Sequence, residues 1–238
     1  KEEGLSRSTI GWAGLIFSVY AFNYLWAPLI DRVRIPFLTK KIGHRRSWII
    51  LMQGFILLSL ILWSILNPSE NLGLVITIGL IIAIASATQD ITVDALRIEQ
   101  IGESEGESMA AGAAMAVVGW WTGYKIGGVL SLFSADFLEE AGFENYWQLT
   151  FLILAILVII MNIGLTFINE QNSSYRRNTQ DENDKLISSK FKKINFFTKF
   201  LSWIGGTISG PIISFFKKNG FSIAMGILGF VFLFKVGE

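Results

Sequence analysis

Long apolar runs, interrupted by charged loops of different character, limit what this chain can fold into more than any other feature. Five are long enough to cross a bilayer: roughly Thr9 to Ile30, Trp48 to Leu66, Leu72 to Thr92, Ala110 to Ala135 and Trp147 to Ile168. About 20 mostly apolar residues in a helix cover a hydrocarbon core of roughly 30 Å. Five such runs predict an all-α fold, a polytopic helical membrane protein. A sixth run opens at Phe221 and reaches only Glu238. The chain begins at Lys1 without a methionine and stops inside that run, so it is expected to be a piece of a longer protein.

The charges are sparse, 16% of residues, and segregated. Soluble domains carry about 25%. With no cysteine, disulfides and thiolate chemistry are excluded. A single histidine, His44, cannot build a histidine metal cluster.

Lys and Arg mark cytoplasmic loops. Arg32, Arg34, Lys40, Lys41, Arg45 and Arg46 crowd the loop from Asp31 to Ser47, and a second basic stretch runs from Asn169 to Asn219. The loops Asn67 to Asn71 and Asp136 to Tyr146 carry neither residue type. An even number of spans separates the two basic stretches, so both fall inside and the N-terminal end falls outside. The mostly acidic loop from Arg97 to Ser108 is also inside, since acids contribute little to this rule. Trp26, Trp48 and Trp147 stand at expected span ends, where amphipathic rings favour the headgroup level. Trp120 and Trp121 do not, and are expected to pack or to line a cavity.

Three expected domains follow: residues 1–168 as an N-terminal bundle, 169–219 as a cytoplasmic linker, and 220–238 as the start of a second bundle. The linker is rich in Asn, Ser and charge as far as Ser189. From Phe191 to Asn219 it mixes aromatic residues with Lys, as a membrane-surface segment does.

Lys125 is the residue that the bilayer least tolerates. It falls near the middle of its run, where a charge costs at least about 2.5 kcal/mol, so it must face protein or a hydrated cavity. Gly119, Gly123 and Gly127 make two overlapping small-xxx-small motifs in the same run, expected to form a packing face about 200° around the helix from Lys125. Lys125 can serve as an anion contact or coupling group, or as half of a structural ion pair. Asp90 and Asp94, in Gln89-Asp90-Ile-Thr-Val-Asp94, share one helical face at i,i+4. They can form a proton site or cytoplasmic gate. Alternatively they are a solvated helix end in which Asp94 pairs with Arg97. Asp31, Arg32, Gly43, Arg45 and Arg46 can lock helices together, or serve only as the topology signal. Lys235 and Glu238 are spaced for a helical pair. Asn23, Tyr24 and Gln53 are polar residues within or near spans, suited to a cavity wall or an interhelical hydrogen bond.

Tyr24 to Arg32 with Gly43-His-Arg45-Arg46-Ser-Trp48 resembles the first cytoplasmic loop of the major facilitator superfamily. Pro28 and the extra residues Ile35 to Ile42 depart from its general pattern towards that of AmpG-type muropeptide permeases and the related acetyl-coenzyme A transporters. Gln89-Asp90-x-x-x-Asp94, Gly123-Tyr124-Lys125-Ile-Gly127-Gly128, the segment Gly210-Pro211 to Gly220, and Phe234-Lys235-Val-Gly237-Glu238 resemble the same group, in the same order.

The resemblance implies about twelve or more spans in two six-helix bundles. This chain would hold spans two to six, the start of the seventh, and lack the first. It implies alternating access around a midplane site and proton-coupled uptake of anhydromuropeptides across a bacterial inner membrane. Lys125, Tyr124, Trp121, Asn23 and Tyr24 would contact substrate. Gln89, Asp90 and Asp94 would serve proton coupling or the inner gate, and Asp31, Arg32, Arg45, Arg46 and Arg97 a cytoplasmic latch. No cofactor is implied, with protons as the coupling ion. The implied partners are the lipid bilayer, a small glycopeptide and the second half of the same protein, as a monomer and without nucleic acid. The superfamily's antiporter signature includes a Gly-Pro in the fifth span, and Gly119 to Gly128 holds no proline, so the resemblance favours a symporter. Acetyl-coenzyme A transport, a non-transporting signalling role and an intramembrane enzyme remain as alternatives. The last would have only carboxylate chemistry to use.

Overall fold

The computed structural model describes residues 14, 16, 18–67, 71–101, 106–168, 170, 207, 213 and 215–236. Regular structure among these is all helical, as expected. In chain order the elements are α1 (Ser18–Phe22), a 3-10 turn (Asn23–Leu25), α2 (Ala27–Arg32), α3 (Leu38–Ile42), α4 (His44–Ile65), α5 (Leu72–Ile101), α6 (Gly106–Glu140), α7 (Tyr146–Thr166) and α8 (Phe221–Val236). Most of the expected surface segment Phe191 to Asn219, Glu238 and the side chain of Lys235 lie outside the described residues.

Two units make up the chain: residues 1–24 with 34–172, and 25–33 with 173–238. The first contains α1 and α3 to α7. In the second, Arg32 donates from Nη1 to Thr207 Oγ1 at 2.7 Å, and Phe216 stacks on Phe221 at the start of α8.

The first expected span is not one helix. Its described part breaks into α1, the 3-10 turn and α2. Pro28 sits in the first turn of α2. A proline has no N–H to continue a helix from the preceding turn, but suits the beginning of a new one. Trp26 lies at the break as the cap residue of α2. Helices α4, α5 and α6 outrun their apolar stretches, because Glu, Arg, Gln, Leu and Ala at the ends are good helix formers.

By length and composition, α4, α5 and α7 are able to cross a membrane. The sequence predicted five spans. Helix α6 has the length, 35 residues, but its many glycines together with Trp120, Trp121, Lys125 and Asp136 dilute its apolar character.

Helix α4 is the centre of the first unit, packed on α5 along one side and on α7 along another. Its Ile49, Met52, Ser59 and Leu60 are buried. The facing side of α5 buries Ile78, Ala85, Thr88, Thr92 and Leu96. Their spacing of three, four and seven residues puts them on one face. Small side chains on that face let the two backbones approach, as membrane helices require when lipid offers no hydrophobic drive between them. Thr92 satisfies its buried hydroxyl on the carbonyl of Thr88, at 2.8 Å.

At the far end of α4, Trp63 donates its indole N–H to the Val75 carbonyl at 3.2 Å and packs against Phe151 of α7. Gln148 of α7 donates to the Leu66 carbonyl at 3.2 Å. Midway, Asn162 of α7 approaches Gln53 of α4 at 3.5 Å. Gln53 is thus one of the polar span residues that meets another helix.

Candidate functional site

The start of α4 poses an electrostatic problem. His44, Arg45 and Arg46 occupy its first turn, where the helix dipole is positive and four backbone N–H groups lack helical acceptors. Glu170, just past α7, answers it. The N–H groups of His44 and Arg45 donate to Glu170 Oε1 at 2.8 and 3.1 Å, and that of Arg46 to Oε2 at 3.1 Å. A carboxylate at a helix N-terminus is a charged cap, stabilising through both hydrogen bonds and the dipole.

Gly43 makes this approach possible. Its φ of 99° is one that only glycine adopts readily, and a Cβ there would collide with the Glu170 carboxylate. Arg46 also holds that end of α7, donating from Nη2 to the Leu165 carbonyl in its last turn at 3.3 Å.

Arg45 turns towards α5. Its Nε and Nη2 both donate to Glu99 Oε1, at 3.0 and 2.9 Å. This pair is sequestered, the two side chains retaining 5% and 15% of their accessible surface. Nearby on α5, Arg97 pairs with Asp94 at 3.0 Å across one helical turn and donates to the Gly112 carbonyl of α6 at 3.1 Å. A Cβ at Gly112 would collide with Ile101, so that glycine lets α6 close against the end of α5. Arg45, Arg46 and Arg97 therefore join α4, α5, α6 and α7 at one end of the unit.

Neither Glu99 nor Glu170 was singled out by the sequence, although both complete this cluster. Asp94 forms the local pair with Arg97 that its spacing allowed. Asp90, one turn earlier, is exposed on the same face. The Gln89 side-chain oxygen is buried without a hydrogen-bond donor among the described residues. Asp31 and Arg32 fall in the second unit. Asn23 is partly buried and Tyr24 exposed, both in the 3-10 turn.

Helix α6 is built differently. Of its residues only Ala135 is buried. Lys125 lies near its midpoint, exposed, with Nζ 5.9 Å from the Trp121 ring centroid. Trp121 stands edge-on to Trp120, with centroids 5.2 Å apart, and Trp120 lies nearly parallel to Tyr124 at 5.8 Å. These three rings keep 51%, 55% and 67% of their surface exposed. Nothing among the described residues lies within 4 Å of a Cβ placed at Gly119, Gly123 or Gly127. Among the described residues the expected packing face on those glycines is thus open, as is the face carrying Lys125.

The chain matches the Major Facilitator Superfamily over residues 1–237. It is 33% identical over 238 residues to a transporter of Rickettsia felis named AmpG 4, covering 100% of this chain and 50% of that protein. It is 30% identical over 237 residues to AmpG 3 of Rickettsia prowazekii, covering 100% of this chain and 50% of the relative. With the anhydromuropeptide permease of Escherichia coli K12 it shares 32% identity over 157 residues, 66% of this chain and 30% of the permease.

This chain therefore belongs to the major facilitator superfamily, and it is a multi-pass membrane protein of a transporter family. Among its relatives are AmpG-type transporters, of which it spans about half the length where it matches in full.

Proposed function

We propose that the protein to which this chain belongs imports anhydromuropeptides across the bacterial inner membrane by alternating access, coupled to protons. The one observation that carries this is Lys125, an exposed cation at the middle of a 35-residue helix, over the exposed ring of Trp121. A charge at that depth needs water or a counter-charge. A hydrated passage between two bundles supplies the first, and the carboxylates of a peptide the second.

The likeness to a protein named anhydromuropeptide permease supports the substrate class. In this proposal Lys125, Trp121, Tyr124, Asn23 and Tyr24 line the passage. Asp90 and Asp94, with Gln89, take part in proton coupling or in closing the inner gate. Arg45, Arg46 and Arg97 belong to a latch on the cytoplasmic side. Lys235 and Glu238 would add a charged pair at the start of the second bundle, and the protein works as a monomer.

The test is uptake of labelled anhydromuropeptide by cells that express the full-length protein and lack a permease of their own. Accumulation that a protonophore abolishes is the expected result. No accumulation above the empty-vector control would overturn the proposal. Accumulation resistant to the protonophore would remove proton coupling alone.

A further inference from the structure

Two pairs at i,i+4 run side by side on α6: Trp120 with Tyr124, and Trp121 with Lys125. At 100° per residue, members of each pair stand about 40° apart on one helical row. The edge-on contact between Trp120 and Trp121 joins the rows. One row presents two near-parallel rings, 5° between their planes. The other presents a ring with an ammonium group over it.

The depth of this cluster narrows what it can be for. Residues 120–125 straddle the middle of Gly106–Glu140, about 20 Å from either end at 1.5 Å per residue. Interfacial aromatic belts lie at the headgroup level, not at the centre. Rings that packed the bundle from within this unit would be buried, and these are not.

Lys125 stands clear of any carboxylate ion pair among the described residues. Its charge is therefore available to a ligand. Parallel aromatic faces carry negative π-density, which attracts the polarised C–H bonds on the apolar side of a pyranose ring. A cation one row away suits a carboxylate. A site of aromatic walls with few, well-placed polar groups is the usual make-up of a small-molecule pocket.

We propose that Trp120 and Tyr124 form a stacking platform for a sugar ring while Lys125, held over Trp121, takes a carboxylate of the same ligand, so that α6 selects an acidic saccharide. This rests on the transport reading above and assigns the two halves of the ligand to two rows of one helix.

The test uses purified full-length protein and cells expressing it. The neutral probe is GlcNAc-anhydroMurNAc with its lactyl carboxyl amidated. The charged probe is the free stem peptide. On the wild type, the neutral disaccharide should quench tryptophan fluorescence and compete with labelled muropeptide uptake. Trp120→Leu and Tyr124→Leu should raise KM about tenfold or more, the scale of one lost ring stack, and abolish competition by the disaccharide. Trp120→Phe and Tyr124→Phe, which each keep an aromatic face, should lose less than the matching leucine variants in both readouts. Lys125→Gln should weaken competition by the peptide and leave that by the disaccharide.

Unchanged KM and unchanged disaccharide competition in both leucine variants would overturn the platform. So would loss of folded protein with an unaltered KM in what remains, because the rings would then pack against another helix of the full-length protein. A wild type that quenches with the disaccharide but takes up no muropeptide would overturn the transport proposal and keep the platform. A wild type that transports but shows no quenching and no disaccharide competition would do the reverse.

Discussion

Arg45, in the first turn of α4, gives two guanidinium N–H groups to a single oxygen of Glu99 in the last turn of α5. The pair is almost closed to solvent. Removing one partner of such a pair strands a buried charge, at a cost of about 3–5 kcal/mol, whereas replacing both by apolar residues is often neutral. Glu99→Leu should therefore lower the melting temperature of the full-length protein in detergent more than the double change with Arg45→Leu. A loss in the double variant equal to the sum of the two single losses would show that the two groups contribute independently.

Gly43 and Glu170 should behave as one unit. Gly43→Ala imposes an unfavourable backbone conformation, costing of the order of 1 kcal/mol or more, and drives the new methyl into the Glu170 carboxylate. In the background of Glu170→Ala the collision with the carboxylate disappears, leaving the backbone part and a milder contact with the remaining Cβ of residue 170. A double-mutant cycle by thermal denaturation should give a clear coupling energy, as contacting residues do. Strict additivity would mean that the loop relaxes around the methyl.

The Asp94–Arg97 pair is half-exposed at its acidic end, with Asp94 keeping 55% of its side-chain surface. Pairs of this kind on a helix surface contribute about 0.3–0.5 kcal/mol. Asp94→Asn should leave the melting temperature within about 2 °C on that scale. If uptake is lost in the same variant, the carboxylate works in coupling or gating. If uptake is kept, Asp94 is only a surface partner of Arg97.

Lys125→Ala removes a side chain that is exposed and whose recorded contact is the Trp121 ring. Folding should be unaffected by size-exclusion profile, while muropeptide uptake falls by at least tenfold, the scale of one lost charge-assisted contact. Lys125→Arg should retain part of the uptake, since the charge remains. Uptake unchanged in Lys125→Ala would remove this residue from the transport path.

The contact between Asn162 and Gln53 stands at 3.5 Å, the long limit for a hydrogen bond. Interhelical polar contacts in membranes average about 0.6 kcal/mol. Asn162→Leu should thus shift stability by less than about 1 kcal/mol, read from denaturation in mixed micelles. A larger loss would show that the pair is tighter in the bilayer than its separation suggests.

How much of this was readable in the sequence differs from residue to residue. The all-α class follows from the apolar runs, because a membrane permits few ways to satisfy the backbone. The break at Pro28 was written in the residue itself, yet hydropathy smoothed over it. Arg45 and Arg46 were visible as a basic cluster, but their acids were not. Glu99 and Glu170 are remote from them in sequence, and the topology rule discounts acidic residues. A charge-aware question would have found a candidate: three basic residues opening a helix need a nearby carboxylate, and Glu170 closes the apolar run of α7. The glycine stripe on α6 was legible as a face that permits close approach, but small residues do not name the helix that makes it, and none of the described residues does.

The 35 residues of α6 form a rod about 52 Å long at 1.5 Å per residue, against a hydrocarbon slab of about 30 Å. It must lean or stand proud of the lipid at one or both surfaces. Among the described residues α6 buries only Ala135, near its C-terminal end, and meets α5 near its N-terminal end through Gly112. A swing of about 10° about one end would carry the other through about 9 Å, by simple trigonometry on that length. Re-tilting this helix, without bending it, is therefore enough to displace one of its ends by several ångströms at a membrane surface.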